Sequence, residues 1–248
     1  MDKRIITFNR LHNFRDIGGL PVGEGKIMKS GLLYRSESLH LYSKAELEKI
    51  KSLGIRSVVD LRTPEEVSDN RYNIFKNSNI NVLNISINPF PDKKVPTKRD
   101  FINRAFLKNS ETIDLAGMMT GNYHRMAFDC SNEIKQILTF LSIEENLPAV
   151  IHCSAGKDRT GFISILLQTL AGVETDAIHE DYLLTNNFML NGKDVKKQEL
   201  IFKILTLGKF NLDIFKPYQE ARPEYLKTVS QEIHENHSTV EEYLTDYC

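Results

Sequence analysis

Cysteine is scarce in this chain of 248 residues: only Cys130, Cys153 and Cys248 occur, too few and too scattered for a disulfide framework or a zinc site. Cys130 reads as a small core or helix-edge residue and Cys248 as a frayed terminus, which leaves Cys153 as the thiol to explain. An excess of either charge is also missing. The formal net charge of -1 argues against bulk nucleic-acid binding. No apolar run is long enough to span a bilayer, the longest being residues 161–173, so no stable membrane insertion is expected. The opening MDKRIITFNRLHNFRD has no apolar central stretch. No signal peptide is therefore expected, and a cytoplasmic location is the default, with export by another route left open. Repeats, low-complexity tracts and a convincing interdomain linker are all lacking. With 41% hydrophobic residues, the default is one domain over residues 1–248 with a generous core.

What the chain does have is the run HCSAGKDRTG, residues 152–161. Five residues separate Cys153 from Arg159, a spacing that lets a loop curl around an oxyanion so that thiol and guanidinium meet the same group. Cysteine suits nucleophilic work because its thiolate forms readily beside cationic or dipolar neighbours. The flanks supply such neighbours. Residues 147–151 read as a short buried strand, and residues 162–171 as a nearly all-apolar helix starting just after Arg159, Thr160 and Gly161. Unpaired N–H groups at the helix start, with those of Ser154, Ala155 and Gly156, would form an anion-binding nest.

Other readings fit less well. A nucleotide-binding loop needs Gly-Lys followed directly by Ser or Thr, and here Asp158 follows Gly156-Lys157. A rhodanese-type sulfur carrier or a redox thiol leaves Arg159-Thr160-Gly161 unexplained. A buried structural cysteine is common for a lone Cys, but not with Lys, Asp, Arg and Thr in the next seven positions.

The run resembles the signature of the cysteine-dependent protein tyrosine phosphatases. Its Lys-Asp pair before the Arg is similar to the atypical bacterial branch typified by mycobacterial protein tyrosine phosphatase B. Asn13-Phe14-Arg15-Asp16-Ile17-Gly18-Gly19, Leu33-Tyr34-Arg35-Ser36, Val59-Asp60-Leu61-Arg62 and Arg222-Pro223-Glu224-Tyr225-Leu226 follow that family's order, so the resemblance spans most of the chain. It implies phosphomonoester hydrolysis on phosphotyrosine, and in different members on phosphoserine, phosphothreonine or phosphoinositides. Phosphorylated proteins or phosphoinositides are then the expected partners. A phosphate-recognition module without turnover and a sulfur or redox carrier remain the alternatives; intact Cys153 and Arg159 speak against the module.

Helix and strand signals alternate along the chain, which predicts an α/β fold: a phosphatase-like domain with a central, mostly parallel sheet flanked by helices. Residues 32–34, 55–61 and 82–87 read as strands. Ser43 with Glu46 makes a capping box for a helix through Leu47 and Ile50 that Gly54 closes, and Thr63-Pro64-Glu65-Glu66 makes a second capped start. Residues 88–109 break into a proline-bearing loop or mobile arm, with Pro89, Pro91 and Pro96. Leu115, Met118, Met119 and Met126 recur at helical spacing, as do Ile134, Ile137, Leu138 and Leu141; the methionine stripe reads as core, not as a cofactor box. After the signature the chain reads as wholly helical. Within it, residues 185–220 form a lid-like helical insertion or an ordinary core helix, with Leu200, Ile201, Ile204 and Leu205 on one face.

The resemblance implies two-step transfer through a phosphocysteine on Cys153, with Arg159 clamping the phosphoryl oxygens beside Ser154, Ala155, Gly156 and Lys157. No metal or other cofactor is required. Thr160 would hydrogen-bond the thiolate or simply cap the helix, and His152 would fix the loop. Many relatives keep their general acid in a Trp-Pro-Asp loop, and this chain contains no tryptophan. Asp158 is the best substitute, with Asp60 and Asp92 as fallbacks. Lys157 would add a second cation for multiply phosphorylated headgroups, or else pair with Asp158 and stiffen the loop. For Asp60, Arg62, Arg15 and Asp16 the favoured reading is buried ion pairs that brace the phosphate loop.

Overall fold

The computed structural model describes residues 2–39, 43–67, 75, 78–88, 114–189, 213 and 216–247. Five strands form one sheet in the order β1-β2-β5-β3-β4: β1 (Arg15–Asp16), β2 (Leu33–Ser36), β3 (Ser57–Asp60), β4 (Asn81–Asn84) and β5 (Ala149–His152). Only β1 runs antiparallel to its neighbour; the other pairs are parallel. The central strand is thus the last in sequence. It sits between β2 and β3, pairing Val150 with both Tyr34 and Val58.

Alternation along the strands decides what each face buries. Val58 and Val150 join Phe8, Leu11, Phe14, Leu47 and Ile50 on one side, where α1 (Lys44–Ser52) packs. Val59 and Ile151 point the other way, into a larger core built from α3 (Leu115–Phe128), α4 (Ser131–Leu141), α5 (Asp158–Leu170), α9 (Pro223–Asn236) and α10 (Val240–Tyr247). Covered on both faces, β3 and β5 are buried at every position, the pattern of a parallel interior strand. The α/β class with helices on both sides of a mostly parallel sheet therefore holds.

Local signals explain the element ends. Ser43 caps α1 by accepting the Glu46 N–H at 3.3 Å, and Gly54, at φ +73°, closes it. Pro64 opens the short α2 (Pro64–Val67). Met119 and Met126 are buried in the larger core, as a structural stripe requires. β3, β4 and β5 are shorter than the apolar runs suggested, whereas β2 runs on to Ser36: β4 stops at Asn84, although Ile85 and Ile87 still donate to the Asp60 and Leu61 carbonyls. Helix α5 begins four residues before the expected start at Phe162, because Asp158, Arg159 and Thr160 form its first turn. Hydrophobic periodicity cannot register a polar turn that faces a site.

After the signature, α6 (Thr175–Leu184), α7 (Asn186–Met189) and α8 (Lys216–Gln219) precede α9 and α10, so the described residues there are mainly helical. Asn186 bonds both polar groups of the Ala221 backbone, joining the two ends of the expected insertion at 2.9 and 2.7 Å. Most of the expected lid, residues 190–212, lies outside the described residues, as does the proline-bearing arm beyond Asn88. Among the described residues no helix is long and apolar enough to cross a membrane.

Candidate active site

The chain leaves the sheet at His152, the end of its central strand, and turns through residues 153–157 before α5 begins. That is the carboxyl end of the parallel strands, the usual binding edge of an open α/β sheet. Gly156 makes the turn at φ +67°; a Cβ there would lie 2.4 Å from the Ser36 carbonyl oxygen, so no other residue fits. The loop's carbonyls face outward and are held. Arg35 NH2 donates to Gly156 O at 2.9 Å, Asn13 Nδ2 to Gly156 O and Ala155 O at 3.1 and 3.3 Å, and Ser38 N to Ser154 O at 3.1 Å. The N–H groups of Ser154, Ala155 and Gly156 make no bond among the described residues. They are left unclaimed beside the buried Cys153, as an anion-binding nest requires.

Arg159, in the first turn of α5, reaches back across the loop. Its NH1 donates to Leu61 O at 3.2 Å and to Glu66 Oε2 at 2.7 Å, and its NH2 donates to Glu66 Oε1 at 2.8 Å. Three of the five guanidinium N–H groups are thereby used. Nε–H and the second NH2 hydrogen remain, and they lie on one edge of the plane, the arrangement that grips two oxygens of a phosphoryl group. Glu66 comes from α2, where it also accepts Thr63 N–H at 3.0 Å and the Ser154 hydroxyl at 2.5 Å. Burial pushes its carboxyl up, but the bonds and charge of Arg159, with Ser154 and Thr63, outweigh that and bring it down from 4.5 to about 2.

The bracing residues are arranged in two groups. Asp60 takes Arg62 through Nε at 3.0 Å and NH2 at 3.1 Å, and its Oδ1 stands 3.6 Å from His152 Nδ1, which is 3.1 Å from the Cys153 carbonyl. Arg15 does not pair with Asp16, its neighbour in sequence. Asp16 instead accepts Gly18 and Gly31 N–H groups at 2.8 and 2.6 Å, shaping the turn around β1. Arg15 pairs with Asp181 of α6 at 3.0 Å, and Arg4 and Arg35 meet the same carboxylate at 2.6 and 3.3 Å. Burial would raise the Asp181 carboxyl, yet the charges of Arg15 and Arg35 hold it well below the usual range.

Within the loop, the contacts of Lys157 match the second of its two expected roles, a pairing with Asp158, in place of a substrate-facing cation. Its ammonium is buried and donates to the carbonyls of Tyr218 and Glu220, the latter at 3.1 Å, with Asp158 Oδ1 at 3.4 Å. Three acceptors around one ammonium, on the side of α8, turn it away from the loop interior. Asp158 Oδ1 also accepts the Tyr123 hydroxyl at 3.0 Å. The Thr160 hydroxyl is buried without a partner among the described residues, and so is available to a group in the loop. Asp92 lies outside the described residues. No cluster of His, Cys, Asp or Glu among the described residues could hold a metal ion. Glu66, Asp181 and Tyr123 were missed as site residues. Glu66 was visible only as part of a helix start, Asp181 and Tyr123 carried no motif, and Asn13 and Arg35 stood inside matched segments without an assigned task.

A thiol and a guanidinium on one anion-binding loop, at the carboxyl edge of a parallel sheet, define the class of cysteine-dependent phosphoric monoester hydrolases. The chain belongs to the tyrosine phosphatase family, whose model matches residues 6–248. It is 30% identical over 252 residues to a Cupriavidus necator protein named as a candidate tyrosine-protein phosphatase, covering 97% of this chain and 83% of that one. It is 26% identical over 262 residues to the triple specificity protein phosphatase PtpB of Mycobacterium tuberculosis, covering 94% and 90%. An inositol diphosphatase of Arabidopsis thaliana, DSP2, is 28% identical over 133 residues, 47% of this chain and 46% of that protein.

Proposed function

We propose that this phosphatase works through a phosphocysteine on Cys153. The observation that carries the reading is the loop itself: a buried thiol ringed by unclaimed N–H groups, with one open edge of Arg159 beside it. The Cys153 thiolate attacks phosphorus, the bond from phosphorus to the ester oxygen breaks, and that oxygen takes the proton of Asp158. Water then attacks phosphorus and gives its proton to the Asp158 carboxylate. The sulfur–phosphorus bond breaks, the thiolate returns and inorganic phosphate leaves. Through both steps Arg159 and the loop N–H groups hold the non-bridging oxygens as charge spreads over them. Thr160 gives its free hydroxyl to the departing thiolate. His152, Asp60 and Arg62 keep the strand end in place beneath the loop.

The substrates we assign are phosphotyrosine in proteins, with phosphoserine, phosphothreonine and phosphoinositides as further classes. Support comes from the names of the M. tuberculosis and A. thaliana relatives, which are a triple specificity phosphatase and an inositol diphosphatase. Incubation with p-nitrophenyl phosphate in the presence of a chelator tests the chemistry, and parallel assays on a phosphotyrosine peptide and a phosphoinositide test the range. Hydrolysis that resists the chelator, is inhibited by vanadate and disappears in Cys153→Ser is expected. Turnover that survives Cys153→Ser would overturn the mechanism.

A further inference from the structure

Asp158 is held by one oxygen only. Tyr123, buried in α3, donates to Oδ1 at 3.0 Å and the Lys157 ammonium stands 3.4 Å from the same atom, whereas Oδ2 takes no hydrogen bond among the described residues. The Asp158 side chain keeps 27% of its surface exposed, so it is held without being sealed off.

The direction of the hydrogen bonds follows from a count of protons. A phenol has one to give, and Tyr123, donating to Asp158, can only accept from the Tyr182 hydroxyl at 2.8 Å. Tyr182 therefore gives its one proton to Tyr123. The donors thus run one way, from Tyr182 through Tyr123 to Asp158 Oδ1. Burial, then the Asp158 charge, pushes both phenols well above their ordinary value of 10, so both remain donors near neutrality. Their rings meet edge to face at 6.4 Å between centroids, and Tyr123 rests against Tyr225 at 5.7 Å. Packing of this kind keeps the hydroxyl from swinging away.

We propose that Tyr123, oriented by Tyr182, is a positioning residue for Asp158: it fixes Oδ1 and so leaves Oδ2 to carry the proton and deliver it to the leaving oxygen. This rests on the reading of Asp158 as the general acid. A carboxyl free to rotate spends part of its time with the proton-bearing oxygen turned away, and fixing it raises the fraction of encounters in which transfer is possible. Without Tyr123 the carboxyl is free to turn towards Lys157, its other neighbour.

The test compares kcat/KM for phenyl phosphate and p-nitrophenyl phosphate in the native protein, Tyr123→Phe, Asp158→Asn and the double variant, with inhibition by inorganic phosphate as the measure of an intact loop. kcat/KM reports the steps through departure of the ester oxygen, and a poor leaving group needs its proton most. Tyr123→Phe is expected to lose about tenfold on phenyl phosphate and about twofold on p-nitrophenyl phosphate, with phosphate inhibition unchanged. In the Asp158→Asn background it should add no further dependence on the leaving group. Tyr182→Phe breaks the chain one bond further out and should shift the same ratio in the same direction by about twofold to threefold, which keeps the test decisive if Tyr123→Phe fails to fold. An equal loss on both esters in the tyrosine variants, with Asp158→Asn still sensitive to the leaving group, overturns the positioning role alone. An equal loss on both esters in Asp158→Asn overturns the general-acid reading beneath it.

Discussion

Glu66 meets Arg159 end-on, Oε2 at 2.7 Å from NH1 and Oε1 at 2.8 Å from NH2, and leaves the Nε edge of the guanidinium unoccupied. A carboxylate in this position orients the fork without covering the edge that faces a phosphoryl group. Glu66→Gln would turn an amide N–H towards a guanidinium N–H and loosen that orientation. A charge-assisted hydrogen bond contributes about 1.5–3 kcal/mol, so kcat/KM on p-nitrophenyl phosphate should fall roughly tenfold or more, with weaker inhibition by phosphate. Tighter phosphate inhibition in the variant would mean that Glu66 competes for the fork, and the orienting role would be lost.

The same pair predicts an acid limit to stability. Burial raises the Glu66 carboxyl, but Arg159, Ser154 and Thr63 together bring it from 4.5 to about 2. A depressed carboxyl contributes stability that is complete above its unfolded value and is lost as pH falls through the folded one. Thermal melts should therefore show a Glu66-dependent loss between about pH 4.5 and pH 2, absent in Glu66→Gln. Parallel melting curves for the two proteins across that window would refute the linkage.

Cys153→Ser should abolish turnover yet leave phosphate binding largely intact, because Arg159 and the loop N–H groups survive the change. Arg159→Lys should impair both, since an ammonium cannot reach Glu66, Leu61 O and a phosphoryl group together as the planar fork does. Calorimetric titration with phosphate separates the two outcomes; equal loss of binding in both variants would mean that the thiolate itself shapes the loop.

Residues close in sequence were legible and residues joined across the fold were not. The loop at 152–161 was legible because its own residue types mark it and apolar runs flank it as strand and helix, and the capped starts at Ser43 and Thr63 were readable because their signals too lie close in sequence. Asp181 is different. It lies 146 and 166 positions from the arginines it neutralises, in a helix where no motif marks it. Arg15 and Asp16 illustrate the same limit: both were expected in buried ion pairs, but neighbouring strand residues point to opposite faces, and Arg15 meets Asp181 while Asp16 accepts backbone N–H groups. The polar first turn of α5 escaped because periodicity reads burial, and that turn faces the site.

The placement of Lys157 bears on substrate range. Its ammonium is enclosed by the Tyr218 and Glu220 carbonyls and by Asp158, and it lies over the Tyr218 ring at 5.7 Å from the centroid. Lys157→Ala should therefore lower kcat/KM by the same factor for a phosphoinositide and a phosphotyrosine peptide, at low and high salt alike, and lower the melting temperature as α8 loses its tie to the loop. A larger loss on the phosphoinositide that shrinks with added salt would instead make Lys157 a selectivity element.

Asp181 stands at the centre of the last prediction. Arg15, Arg35 and Asp181 have no exposed side-chain surface, and the only other guanidinium on this carboxylate among the described residues, that of Arg4, is partly exposed. Burial and the charge of Arg35 already bring Arg15 down from 12.5 to about 10. Asp181→Asn keeps the shape and removes the charge, leaving two buried cations with no carboxylate between them. Breaking a buried pair in this way costs about 3–5 kcal/mol, a fall of roughly 6–20 °C in Tm for a chain of this size. Activity should fall further than stability alone requires, because Arg35 also holds the Gly156 carbonyl at 2.9 Å and Asn13, tied to Arg15, holds it at 3.1 Å. Phosphate inhibition measured well below the variant's Tm reads that second effect. An unchanged Tm would show that the guanidiniums are neutralised without Asp181, and a lowered Tm with native phosphate inhibition would show that the charge cluster stabilises the fold without setting the loop.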